Sequence, residues 1–173
     1  IGLMDPVTLR HDGLLARLRA NGQTPKIMTV NAATEYWGGD RGSGGQASLL
    51  HTDPAGLRDV DPPDTTRVYL LAGRQHVPLT WPVADVDHPP LQRALLVALD
   101  QWVGQGVEPP ANRVPRLADG TAIPPQAAID AAACIPGWAR PVHLPELRRL
   151  DFDLAAPGVP GKLPPAWGEP YPW

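Results

Sequence analysis

The chain has 173 residues, 43% of them hydrophobic, with 15 basic and 18 acidic side chains and a formal net charge of −3. That length suits one domain or a piece of a larger one, and the composition allows a buried core. No basic patch marks a nucleic-acid surface, and no apolar run reaches the roughly 18 residues of a membrane-spanning helix. A single cysteine, Cys134, excludes an internal disulfide.

The N-terminus, Ile1-Gly2-Leu3-Met4-Asp5, has neither the basic stretch nor the apolar core of a signal peptide. It also lacks an initiator methionine, which is the expectation for a piece cut from a longer chain. Residues 12–22 are predicted to form a short helix. Leu14, Leu15 and Leu18 fall at helical spacing, Asp12 is the expected N-cap and Gly22 the expected stop. Pro25 blocks continuation.

Residues 26–31 (Lys-Ile-Met-Thr-Val-Asn) are predicted as a buried strand. It runs into Asn31-Ala32-Ala33-Thr34-Glu35-Tyr36-Trp37 and a glycine-rich stretch, 38–45, both expected to be loop. Helix followed by strand is the step of a parallel sheet. Residues 46–65, rich in turn residues, are expected to be mostly irregular. Residues 66–72 (Thr-Arg-Val-Tyr-Leu-Leu-Ala) are the second strand, followed at once by Gly73-Arg74-Gln75-His76.

The strongest predicted helix spans 91–103. Leu91, Ala94, Leu95, Ala98, Leu99 and Trp102 form one apolar stripe, Pro89 and Pro90 stand where helix-starting prolines belong, and Gly104 and Gly106 end it. From Pro109 the chain reads as an extended, proline-punctuated tail, with one further helix started by Pro124-Pro125 through 126–133. The 23 prolines far exceed an ordinary share of roughly 5%. The expected organisation is 1–106 as the α/β portion and 107–173 as a tail packed on it.

In open α/β sheets, functional groups collect just beyond the carboxyl ends of the strands. Here the first strand leads to a carboxylate, Glu35, and the second to an imidazole, His76. Acid then histidine, each after its own strand, is the order of the last two members of an α/β-hydrolase triad. The imidazole takes the nucleophile's proton, while the carboxylate fixes its tautomer and stabilises the imidazolium. Asp40 and Asp53 are the rival acids. His51-Thr52-Asp53 has the residue types of a metal ligand pair, but no second cluster with ligand spacing accompanies it, so no metal is expected. The stretch 38–45 lacks the G-x-x-x-x-G-K-[ST] pattern of a phosphate-binding loop and is not read as opening a helix.

The blocks Asn31-x-x-x-Glu35-Tyr36-Trp37, His51-Thr52-Asp53-x-x-Gly56, Arg67-Val68-Tyr69-x-x-Ala72-Gly73-x-Gln75-His76 and Leu91-x-Arg93-Ala94-Leu95 through Trp102-Val103 resemble a bacterial family of large α/β-hydrolase-domain proteins. So does the run Pro109-Pro110-x-x-Arg113-x-Pro115-x-Leu117-Ala118-Asp119-Gly120. The resemblance covers the chain from about Asp5 to its end. It implies the C-terminal part of an α/β-hydrolase sheet, with Glu35 as triad acid and His76 as general base, acting on an ester-like small molecule without metal or organic cofactor.

The serine nucleophile is not in this sequence. Its only serines, Ser43 and Ser48, do not form the G-x-S-x-G elbow, and Cys134 follows three alanines. The expected partner is therefore the missing N-terminal part of the same hydrolase domain. The alternative expectation is a non-catalytic binding or structural module on a hydrolase-derived scaffold.

Overall fold

The computed structural model describes residues 3–4, 8–13, 15–37, 52–53, 56–73, 88–142, 148–156, 159–162 and 164–171. In chain order the elements are β1 (Leu3–Met4), β2 (His11–Asp12), α1 (Ala16–Ala20), β3 (Ile27–Ala32), α2 (Ala33–Trp37), β4 (Thr66–Leu71), α3 (Pro89–Gln105), α4 (Pro125–Ala132), β5 (Arg148–Asp151), β6 (Leu154–Ala156), β7 (Val159–Pro160) and β8 (Ala166–Pro170). The character is mixed α/β, with a small two-stranded parallel sheet and a few helices. The chain divides into two compact units. One comprises Ile1–Arg17, His51–Val60 and Pro115–Trp173, the other Leu18–Leu50 and Asp61–Val114.

The second unit is built on β3 and β4. These two runs of β-branched and aliphatic residues pair in parallel from Ile27↔Thr66 to Ala32↔Leu71. The Ile27 N–H donates to the Thr65 carbonyl at 2.8 Å, which fixes the phase of the ladder. The other edge of β4 is closed by the segment after α3. Val68 N–H donates to Asn112 Oδ1 at 2.9 Å, and Leu70 N–H to the Arg113 carbonyl at 2.8 Å. The Arg113 N–H returns a bond to the Val68 carbonyl at 2.9 Å.

Alternation along β4 sends Val68, only 2% exposed, to one face and Arg67 and Tyr69 to the other. The second face meets α3 and the turn after it. Tyr69 Oη donates to the Pro110 carbonyl at 2.7 Å. Burial, only partly offset by the charge of Arg67, raises the phenol above its ordinary value and keeps it a donor. The buried Trp102 ring receives Lys26 Nζ at 4.3 Å from its centroid and the Arg67 guanidinium at 4.9 Å. An indole takes roughly 150–250 Å² out of water, on the order of 4–6 kcal/mol before entropic costs.

The helix stripe needs correction. Leu95 and Trp102 are buried and Ala98 and Leu99 half-buried, but Ala94 is exposed and Leu91 is 46% exposed. A two-stranded sheet is too narrow to cover the whole stripe. Gly106, at φ 72°, ends α3 in the left-handed region, with its own N–H and that of Val107 turned back to the Gln101 carbonyl.

The predicted helix at 12–22 shrinks to the single turn α1. Asp12 is not its cap: it lies in β2, and its Oδ1 accepts the N–H of Gly13 at 2.7 Å. Gly22 does stop it, at φ 67°. Its N–H donates to the Arg19 carbonyl and that of Gln23 to Leu18, the paired bonds of a Schellman motif.

In the first unit, Thr52 and Asp59 form an antiparallel bridge. Asp59 then reaches forward to the 115–122 segment, accepting the N–H groups of Leu117 at 2.8 Å and Ala118 at 2.9 Å. The tail after residue 107 contains α4, as its Pro124-Pro125 start implies, and also two antiparallel ladders, β5 with β8 and β6 with β7. Pro160 and Pro170 sit in these ladders because each strand of a two-stranded pair is an edge, where a missing N–H is tolerated. No helix among the described residues is long and apolar enough to cross a membrane.

Candidate functional site

The parallel register brings the carboxyl ends of β3 and β4 side by side, ending at Ala32 and Leu71. The chain leaves β3 into α2, not into the loop expected there. Glu35 is the cause: its Oε2 accepts the Ala32 N–H at 2.6 Å. With Ala32 as N-cap and Glu35 three residues on, this is the carboxylate half of a capping box, and a negative charge in a first helical turn is favourable. Glu35 is thus held, half-buried, at the edge of the sheet where the strands end. Tyr36 beside it is 1% exposed and anchors the turn.

Leu71 is followed by Ala72 and by Gly73, whose φ of 73° turns the backbone through the left-handed region. His76, the proposed base, lies outside the described residues, as do Arg74, Gln75, Asp40, Ser43, Ser48 and His51. The structure therefore places Glu35 at the carboxyl edge and gives no geometry between it and His76.

The rival Asp53 has a different task. Its Oδ1 accepts the N–H groups of Leu57 at 2.9 Å and Arg58 at 3.3 Å, and its Oδ2 accepts Arg58 Nε at 3.2 Å. Burial is the largest single influence and opposes ionisation. The bonds from Leu57 and Arg58, with the charge of Arg58, outweigh it and hold the carboxyl below its ordinary 3.8. Asp53 gathers the backbone N–H groups of Leu57 and Arg58 around its carboxylate.

Two features escaped the sequence reading. Asn31 was read only as the end of a strand and the first letter of a motif, yet it is 9% exposed and its Nδ2 is buried with no hydrogen-bond partner among the described residues. The signal was a carboxamide closing an otherwise apolar strand. Thr52, 1% exposed, likewise has a buried Oγ1 without a partner. Among the described residues no group of three His, Cys, Asp or Glu side chains is placed to hold a metal ion. Cys134 is exposed, its Sγ donating to the Ala131 carbonyl at 3.2 Å. Comparisons with protein-family models, with curated proteins and with solved structures find no match to this chain.

Proposed function

We propose that this chain supplies the triad acid, Glu35, and the general base, His76, of a serine-type α/β-hydrolase acting on ester-like bonds. The serine and the oxyanion-binding N–H groups come from sequence outside these 173 residues. The serine attacks the ester carbonyl and His76 receives its proton, later returning it to the leaving alcohol. Glu35 orients His76 and stabilises the imidazolium. Backbone N–H groups of the nucleophile segment stabilise the oxyanion. The chemistry needs no metal or organic cofactor.

The observation that carries this reading is the parallel Ala32↔Leu71 end of the β3–β4 ladder, with Glu35 fixed just beyond it. The outer edge of β3, the one turned away from β4, adds support. The ladder phase turns the N–H groups of Met28 and Val30 away from β4, and no described residue pairs with them. Among the described residues nothing pairs with this edge, which fits a sheet that continues into another segment.

The test is ester hydrolysis by the complete protein. His76→Ala abolishes it; activity retained within tenfold rejects the assignment. This chain alone hydrolyses no activated ester above the buffer rate. A genuine rate lost in His76→Ala would overturn the missing-nucleophile argument.

A second reading, a non-catalytic module on a hydrolase-derived scaffold, is favoured by one observation: Glu35 already has a structural job as the cap of α2. The absence of His76-dependent hydrolysis in the complete protein would select it.

A further inference from the structure

We infer that Asn31 contacts the substrate, its Nδ2 donating to an oxygen acceptor separate from the scissile carbonyl, so that the site selects oxygenated esters over plain alkyl esters. This rests on the hydrolase reading above.

Asn31 is the penultimate residue of β3, paired with Leu70. It therefore lies at the carboxyl edge, next to the Ala32 N–H that anchors Glu35. Strand alternation puts it on the face of Val68, opposite the face from which Arg67 meets Trp102 of α3 and Tyr69 bonds Pro110. It is 9% exposed, and its Nδ2 is buried without an acceptor.

A buried amide donor is almost always bonded, and one left unmade destabilises the fold. The four residues before it, Ile27 to Val30, are apolar or β-branched, and an apolar side chain would continue that run at no such cost. Among the described residues the ladder to β4 uses the backbone of Asn31, and its Nδ2 has no acceptor. The amide is thus a donor held ready, at the end of the sheet where α/β folds take their ligands. A neutral donor in a buried position suits a neutral oxygen such as an ether, hydroxyl or second carbonyl. The oxyanion is left to the nucleophile segment.

The experiment compares p-nitrophenyl methoxyacetate with p-nitrophenyl butyrate, acyl groups that differ by an oxygen in place of a methylene. The complete protein is assayed as wild type, Asn31→Leu and Asn31→Ala, and the same variants of this chain are melted. The wild type is expected to prefer the methoxyacetate beyond the ratio of the uncatalysed rates. Both variants are expected to bring the kcat/KM ratio down by about tenfold or more, because a site built around a donor discriminates strongly for its acceptor. Asn31→Leu is expected to melt at or above wild type. A ratio unchanged in either folded variant would overturn the inference, as would an Asn31→Leu chain that melts well below wild type or fails to fold, since the amide would then be bonded within the fold. Loss of the hydrolase reading shows separately, as a wild type without His76-dependent hydrolysis of either ester.

Discussion

Ala32 donates its backbone N–H to Glu35 Oε2 at 2.6 Å, so the last residue of β3 and the acid of the proposed triad hold each other in place. The bond gives Glu35 a role in folding that is separable from any role in catalysis. Glu35→Ala is expected to cost about 0.5–1 kcal/mol of stability, in line with lost helix caps and charge–dipole contacts. Glu35→Gln keeps an acceptor for the Ala32 N–H and is expected to cost less. Urea melts of this chain measure both. An alanine variant as stable as wild type would show that the cap contributes nothing.

Trp102 is the residue on which α3 docks. Trp102→Ala is expected to cost about 3–5 kcal/mol, by loss of a buried indole. Lys26→Met removes one cation from the ring face and keeps the aliphatic stem, at an expected cost of about 0.5–1 kcal/mol. Denaturant melts followed by far-UV circular dichroism separate the two. Equal losses would mean that burial of the ring is not what holds the helix.

The Asp53 carboxyl titrates below its ordinary 3.8 in the folded chain. A lowered folded value means stability that is present above the unfolded value and lost as pH falls through the folded one. Asp53→Asn is therefore expected to destabilise the chain by about 1–2 kcal/mol at pH 7, from weakened bonds to Leu57 and Arg58. The difference should shrink as pH drops below about 4. A gap between variant and wild type that stays constant from pH 7 to pH 2.5 would contradict the assignment.

The parallel pair was readable in the sequence because 26–31 and 66–72 are short apolar runs bounded by Pro25, Thr65 and Gly73, and they fold as β3 and β4. Helix α3 was readable from Pro89-Pro90 and Gly106. Which part of its stripe is buried was not, because that depends on the width of sheet beneath it. The turn at 33–37 was read as loop because its decisive bond, Glu35 to the Ala32 N–H, runs from a side chain back to the main chain and leaves no hydrophobic period. The ladders of the tail were hidden by Pro160 and Pro170, residues that argue against strands except at edges. For the site, order along the chain placed Glu35 after its strand. For Asn31 the pattern offered only a carboxamide closing an apolar strand; that its amide is buried without an acceptor among the described residues depends on packing.

The central claim is that Glu35 and His76 act as one unit. Its most direct measurement is the distance from the Glu35 carboxylate to His76 Nδ1 in a crystal structure of the complete protein trapped with a fluorophosphonate ester. The account predicts hydrogen-bond contact, roughly 2.6–3.2 Å, with His76 between Glu35 and the phosphonylated serine. Side chains directed to opposite faces of the sheet, or an imidazole bonded to a different carboxylate, would contradict it.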